Sequence, residues 1–274
     1  MAFELSVWTA YFVELSPEDA IARLSKNGYH AAELSDEHGL MLLERDEDVV
    51  KTGKAFRAYA ESLGMKITQG HLWLRCRVVS TPDAVETLKK WIDLYEAIGI
   101  ENMVLHADPL DPEVMTPEAI LDSNAARLRE LADYVAGRNV CICLENLGGL
   151  PFGHIDGLLA LIDRIGSPNF GITLDTGHLN IAHTTSQREF ILKAGSRLRA
   201  LHIADNEGAT DQHMMPFGRG NVDFFEVVRT LREVDYQGIF NYESPGERVC
   251  PPEVQDMKLD YIRKTYEYLM EAAK

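Results

Sequence analysis

Residues 140–182 read VCICLENLGGLPFGHIDGLLALIDRIGSPNFGITLDTGHLNIA. An apolar run ends in Glu145, an amphipathic stretch closes at Gly166, and a second apolar run ends in Asp175. This alternation predicts strand, helix and strand, with the helix carrying the chain back so that the two strands lie parallel. Glycine after the helical stretch supplies the left-handed stop that such a return uses. Cys141 and Cys143 alternate along the first strand, which points both to one buried layer as reduced thiols.

The same unit recurs towards both ends of the chain. Strands are expected at 3–8, 29–35, 65–73, 102–107, 140–146, 170–175, 199–204 and 238–243. Helical stretches between them open on capping signals: Ser16-Pro17-Glu18 before 17–27, Thr81-Pro82-Asp83 before 82–98, and Thr116-Pro117-Glu118 before 117–137. Gly28, Gly64, Gly99 and Gly238 are further stops like Gly166. With 274 residues and no low-complexity linker, the expectation is one α/β domain over 1–274, a single-domain (β/α)8 TIM barrel. Catalytic groups of that fold sit where the strands end and the following loops begin.

Composition narrows the function. Hydrophobic residues make up 46% of the chain and charged residues 26%, the balance of a globular protein with a sizeable core. No run approaches the ~20 apolar residues of a membrane span, and MAFELSVWTA lacks the basic and apolar regions of a signal peptide, so a cytoplasmic protein is expected. A net charge of −16 disfavours a nucleic-acid partner and favours a small-molecule substrate.

Six chemically capable residues fall at or near consecutive strand ends: His71, His106, Glu145, Asp175, His202 and Glu243. A buried carboxylate needs a partner, and a cation shared by Glu145, Asp175, His202 and Glu243 is the simplest. Three carboxylates and one imidazole suit Mn2+, Zn2+, Co2+ or Mg2+, one ion per chain and no organic cofactor. Any one of these acids alone reads equally well as an ion pair with a neighbouring base. His71 and His106 read as hydrogen-bonded walls of the pocket or as ligands of a second metal. Trp8, Trp73 and Phe217 are candidates for an apolar wall against the C–H face of a ring, or plain core aromatics. Glu33 is placed to meet a substrate hydroxyl or to form a salt bridge, and Arg219 to meet a substrate anion or only water.

The motifs ICLENLGG (142–149), GITLDTGHLNIA (171–182), LHIADNEG (201–208), DQHMMPFGRGNVDF (211–224) and GIFNYES (238–244) resemble those of the xylose-isomerase-like barrel superfamily. That group includes sugar and sugar-phosphate isomerases and epimerases, 2-keto-myo-inositol isomerase and endonuclease IV. The resemblance implies one metal on Glu145, Asp175, His202 and Glu243. It gives Glu145 and Glu243 the acid and base roles in carboxylate-mediated proton transfer through a metal-stabilised enediolate. It further implies that His178, in Asp175-Thr176-Gly177-His178, contacts substrate or supports the metal, and that the loop bearing Asp211, His213 and Gly218-Arg219-Gly220 lies beside the pocket. The expected function is isomerisation or epimerisation of a ketose, keto-inositol or related sugar in carbohydrate metabolism, with a homo-oligomer compatible with the fold.

Three alternatives stay open. An endonuclease IV-like phosphodiesterase would use three zinc ions on His71, His106, Glu145, Asp175, His178, His202, Asp211, His213 and Glu243. A lyase or dehydratase would abstract the same proton and expel a hydroxyl. An inactive partner subunit would bind and not turn over.

Overall fold

The computed structural model describes residues 3–46, 48–246 and 249–273. Eight parallel strands follow the expected order: β1 (Glu4–Trp8), β2 (Ala31–Leu34), β3 (Lys66–His71), β4 (Asn102–Leu105), β5 (Cys141–Glu145), β6 (Phe170–Asp175), β7 (Leu198–His202) and β8 (Ile239–Tyr242). Successive strands pair from β1 to β7, and β8 pairs with β1. The last seam closes just past β7, where the Ile203 amide donates to the Asn241 carbonyl at 2.8 Å and the Glu243 amide to the Ile203 carbonyl at 3.1 Å. The chain is a single-domain α/β TIM barrel. β5 and β6 are buried along their whole length, which is why both read as unbroken apolar runs. Cys141 and Cys143 are free thiols packed with Val104 and Ala200.

Among the described residues ten α-helices cover the barrel: α1 (Pro17–Lys26), α2 (Asp36–Leu43), α3 (Val49–Ser62), α4 (Ala84–Ile98), α5 (Pro117–Val135), α6 (Ile155–Ile165), α7 (Thr176–Ala182), α8 (Gln187–Ala194), α9 (Phe224–Glu233) and α10 (Pro252–Ala272). Ser16 and Thr116 cap α1 and α5 as expected, accepting from the Asp19 and Ala119 amides. The expected start of α4 at 82 is corrected. The Thr81 hydroxyl instead accepts from the Arg77 amide at 2.9 Å, Asp83 is left-handed at φ 53, and the helix begins at Ala84. Gly28, Gly64, Gly99 and Gly166 have the expected positive φ. Gly238 does not. Asp235 makes that turn at φ 54, and glycine is needed at 238 for space, since a Cβ there would lie 2.1 Å from Tyr236 Oη. Among the described residues, no helix is long and apolar enough to cross a membrane.

Candidate metal centre

Strand geometry delivers the first three ligands. Glu145, Asp175 and His202 are the last residues of β5, β6 and β7, and Glu243 follows β8 directly. Asp175 and His202 are ladder partners. Asn146 fixes the spacing between β5 and β6, because its side-chain oxygen accepts from the Asp175 amide at 2.8 Å and its nitrogen donates to the Asp175 carbonyl at 2.9 Å. All four ligand candidates are buried, and one donor atom from each lies within 4.8 Å of the others. Atoms opposite one another across an ion with ~2.1 Å bonds are ~4.2 Å apart, so the spacing fits one divalent cation.

Two carboxylate oxygens of this group stand out in the hydrogen-bond pattern. Asp175 Oδ2 and Glu243 Oε2 are buried without a hydrogen-bond partner among the described residues. Leaving such an atom unpaired costs about 1–3 kcal/mol, more when charged, and a metal ion offsets it. The charge balance agrees. Burial, with Glu243 and Glu145 adding repulsion, pushes the Asp175 carboxyl up to about 7. Burial acts the same way on Glu243, but the His202 imidazole outweighs it and holds that carboxyl down at about 2. Glu145 is likewise held well below its ordinary value against burial, chiefly by His202 and His106. Burial opposes charge on the histidines as well, yet Asp175, Asp211 and Glu145 raise His178 to about 12. His178 and His202 therefore offset part of the carboxylate charge, while burial pushes His106 the other way.

Glu145 is the hub. Its Oε1 lies 3.1 Å from His202 Nδ1 and 3.2 Å from His178 Nδ1, and its Oε2 lies 2.9 Å from His106 Nε2 and 3.5 Å from His71 Nε2. The expected loop does reach the site. Asp211 Oδ2 is shared by His178 Nε2 at 3.1 Å and His213 Nε2 at 3.0 Å, while His213 Nδ1 donates to the Glu243 carbonyl at 3.0 Å. The buried Asp205 carboxylate orders this loop by accepting from the Asn206 and Val222 amides at 2.9 and 3.1 Å. Gly220 sits over that carboxylate, where a Cβ would come within 2.0 Å, so the second glycine of Gly218-Arg219-Gly220 is a steric necessity.

Other expectations are displaced. Glu33 does not face a substrate: it is 1% exposed, its Oε1 lies 2.9 Å from His202 Nε2, and its Oε2 accepts from Gln69 at 2.8 Å and from Asn241. Trp73 packs parallel to Trp91 with ring centroids 6.5 Å apart, as a core aromatic. Phe217, at φ 65, packs against Phe224, Phe225 and Tyr268 on α9 and α10. Trp8 stays near the centre, its Nε1 donating to the Ser244 carbonyl at 3.1 Å. Arg219 is exposed and paired with Glu207 at 3.1 Å. The sequence reading missed Asn146, Gln69, Asn241 and Asp205. Asn146, Asp205 and Asn241 lie inside the motifs ICLENLGG, LHIADNEG and GIFNYES, whereas Gln69 lies in none of them.

Fold and site together define a class, the (β/α)8 barrels that gather carboxylates and imidazoles at their strand ends. A sequence model of the xylose isomerase-like TIM barrel family matches residues 21–266, and the chain belongs to that family. It is 30% identical over 202 residues to an uncharacterized protein of Methanocaldococcus jannaschii, a match covering 69% of this chain and 66% of that one. The chain thus spans slightly under two thirds of that relative. An L-ribulose 3-epimerase of Methylomonas is 28% identical over 260 residues, covering 91% of this chain and 86% of the epimerase. A solved D-psicose 3-epimerase of Clostridium cellulolyticum superposes with a TM-score of 0.81 at 18% identity, covering 97% and 99% of the two chains, and shares the fold.

Proposed function

We propose that the chain is a divalent-metal-dependent epimerase or isomerase of a ketose or related keto sugar. The observation that carries this reading is the gathering of Glu145, Asp175, His202 and Glu243, all buried and with donor atoms within 4.8 Å of one another, with Asp175 Oδ2 lacking a hydrogen-bond partner. Similarity to an L-ribulose 3-epimerase favours carbon 3 of a ketose as the reacting centre.

A divalent ion, once bound, supplies Lewis-acid polarisation of the substrate carbonyl. Proton movement belongs to the chain's own carboxylates. Glu145 and Glu243 stand three strands apart around the barrel, and each brings an oxygen close to His202 Nδ1, at 3.1 and 3.2 Å. One takes the proton from the carbon beside the carbonyl, and the other returns it from the opposite side with inverted configuration. His178, His106 and His213 ring the centre and are placed to hold hydroxyls, while the buried walls exclude water.

The test is incubation with Mn2+ and a panel of ketoses and inososes in D2O, followed by NMR and mass analysis. Uptake of one deuterium at an inverted carbon is the expected result. No exchange beside any carbonyl, with the metal bound, would overturn the reading, and a product lighter by one water would replace it with a lyase.

One observation favours a second reading. His71, His106 and Glu145 form another group with donor atoms within 4.8 Å, as do His178, Asp211 and His213, so the trinuclear phosphodiesterase set is present in space. Neither of these groups contains a buried side-chain atom without a partner, however, and the −16 charge opposes a polyanion. Elemental analysis is expected to find about one ion per chain, retained in His178→Ala. Close to three ions, one of them lost in His178→Ala, would favour the phosphodiesterase and make abasic DNA the substrate to try.

A further inference from the structure

We infer that Glu33 is a positioning residue for the metal site, a buried carboxylate that holds His202 in the one tautomer able to present Nδ1 to the ion. The inference rests on the metal reading of the site and not on the sugar chemistry proposed for it.

Every oxygen of Glu33 is committed. Oε1 lies 2.9 Å from His202 Nε2, and Oε2 receives Gln69 Nε2 at 2.8 Å and Asn241 Nδ2. Oε2 already accepts from two amides and Oε1 faces Nε2 alone, so a hydrogen on His202 Nε2 completes the contact and leaves Nδ1 as the nitrogen for an ion. Nδ1, on the other side of the ring, then faces Glu145 and Glu243 at 3.1 and 3.2 Å. A second partner of this kind fixes the orientation of a ligating imidazole and raises its basicity.

The surroundings leave Glu33 no freedom to do otherwise. Gln69 Nε2 also donates to the Leu201 carbonyl at 3.1 Å, and Asn241 Oδ1 accepts from Ser6 Oγ at 2.8 Å, so neither amide can turn without breaking another bond. Strands β1, β2, β3, β7 and β8 are thereby joined into a polar floor under the candidate metal ligands. A glutamine at 33 would fill the same space, but its amide would meet at least one donor head-on.

The first measurement uses the unaltered chain loaded with Zn2+ and labelled with 15N-histidine. NMR is expected to show His202 protonated on Nε2 with Nδ1 on the metal; a proton on Nδ1 would overturn the inference. The second is Zn2+ affinity of Glu33→Gln, read by competition with a chromogenic chelator. A loss of about 10–100-fold is expected in a variant that circular dichroism shows to be folded. Unchanged affinity in a folded variant also overturns it, and if Glu33→Gln does not fold, the tautomer in the unaltered chain decides. A chain that binds Zn2+ in this way but processes no ketose overturns the sugar chemistry and leaves Glu33 in its role, whereas one that binds no Zn2+ overturns both.

Discussion

Glu145→Gln and Glu243→Gln are each expected to lower kcat about 10³-fold while the barrel stays folded, measured at saturating Mn2+ on the ketose that the unaltered chain processes best. Glutamine matches glutamate in size, so no cavity opens, and barrel closure relies on backbone bonds such as Ile203 to Asn241. What is lost is the ability to take a proton. Glu145 is equipped for that task because His202 and His106 keep it ionised despite full burial. Glu243 reaches the same centre from β8 and is ionised for a similar reason, with His202 again the main influence. Circular dichroism and metal content separate chemistry from collapse: each variant should keep its secondary structure, and extra Mn2+ should compensate for weaker binding. Wild-type turnover in either variant would sink the two-carboxylate mechanism.

The four candidate ligands stand out in the sequence, and so does Glu33, whereas the amide side chains of Gln69 and Asn241 beneath them do not. Glu145 and Asp175 each end an apolar run that is buried on both faces, so their charge stands out against everything before it. Gln69 and Asn241 lie in short strands where one polar residue among apolar ones looks like an ordinary solvent-facing position. Their partners are remote, Gln69 lying 36 positions from Glu33 and Asn241 208, and no periodicity encodes such a contact. Local chemistry misled in a similar way at α4, where Thr81-Pro82-Asp83 has the composition of a cap but Thr81 is engaged by the Arg77 amide. Phe217 reads from sequence as a wall of the pocket or as a plain packing aromatic, and nothing local chooses between them. Its left-handed backbone turns the ring outward onto α9 and α10, which only the folded loop reveals.

Asp175→Asn is expected to have opposite effects in the presence and absence of metal. In the unaltered chain, an ion at ~1,000 times its Kd stabilises the fold by about 4 kcal/mol, which raises Tm by roughly 10 °C at this chain length. Asparagine removes a charged ligand, so most of that rise should disappear. After chelator treatment the balance is different. Asp175 Oδ2 then lies buried without a donor, and Glu145 and Glu243 repel its charge. An amide nitrogen in its place can donate to those carboxylates. The cap on α7 survives, because Asp175 Oδ1 accepts the His178 amide at 2.6 Å and an asparagine oxygen can do the same. The variant's Tm in chelator should therefore match or exceed that of the unaltered chain. Differential scanning calorimetry with chelator and with Mn2+ reads both arms. If Asp175→Asn lowers Tm by many degrees in chelator, Oδ2 has a structural role that its unpartnered position does not reveal. If the Mn2+ shift survives intact, Asp175 is not a ligand, and the ion must be held by Glu145, His202 and Glu243 without it.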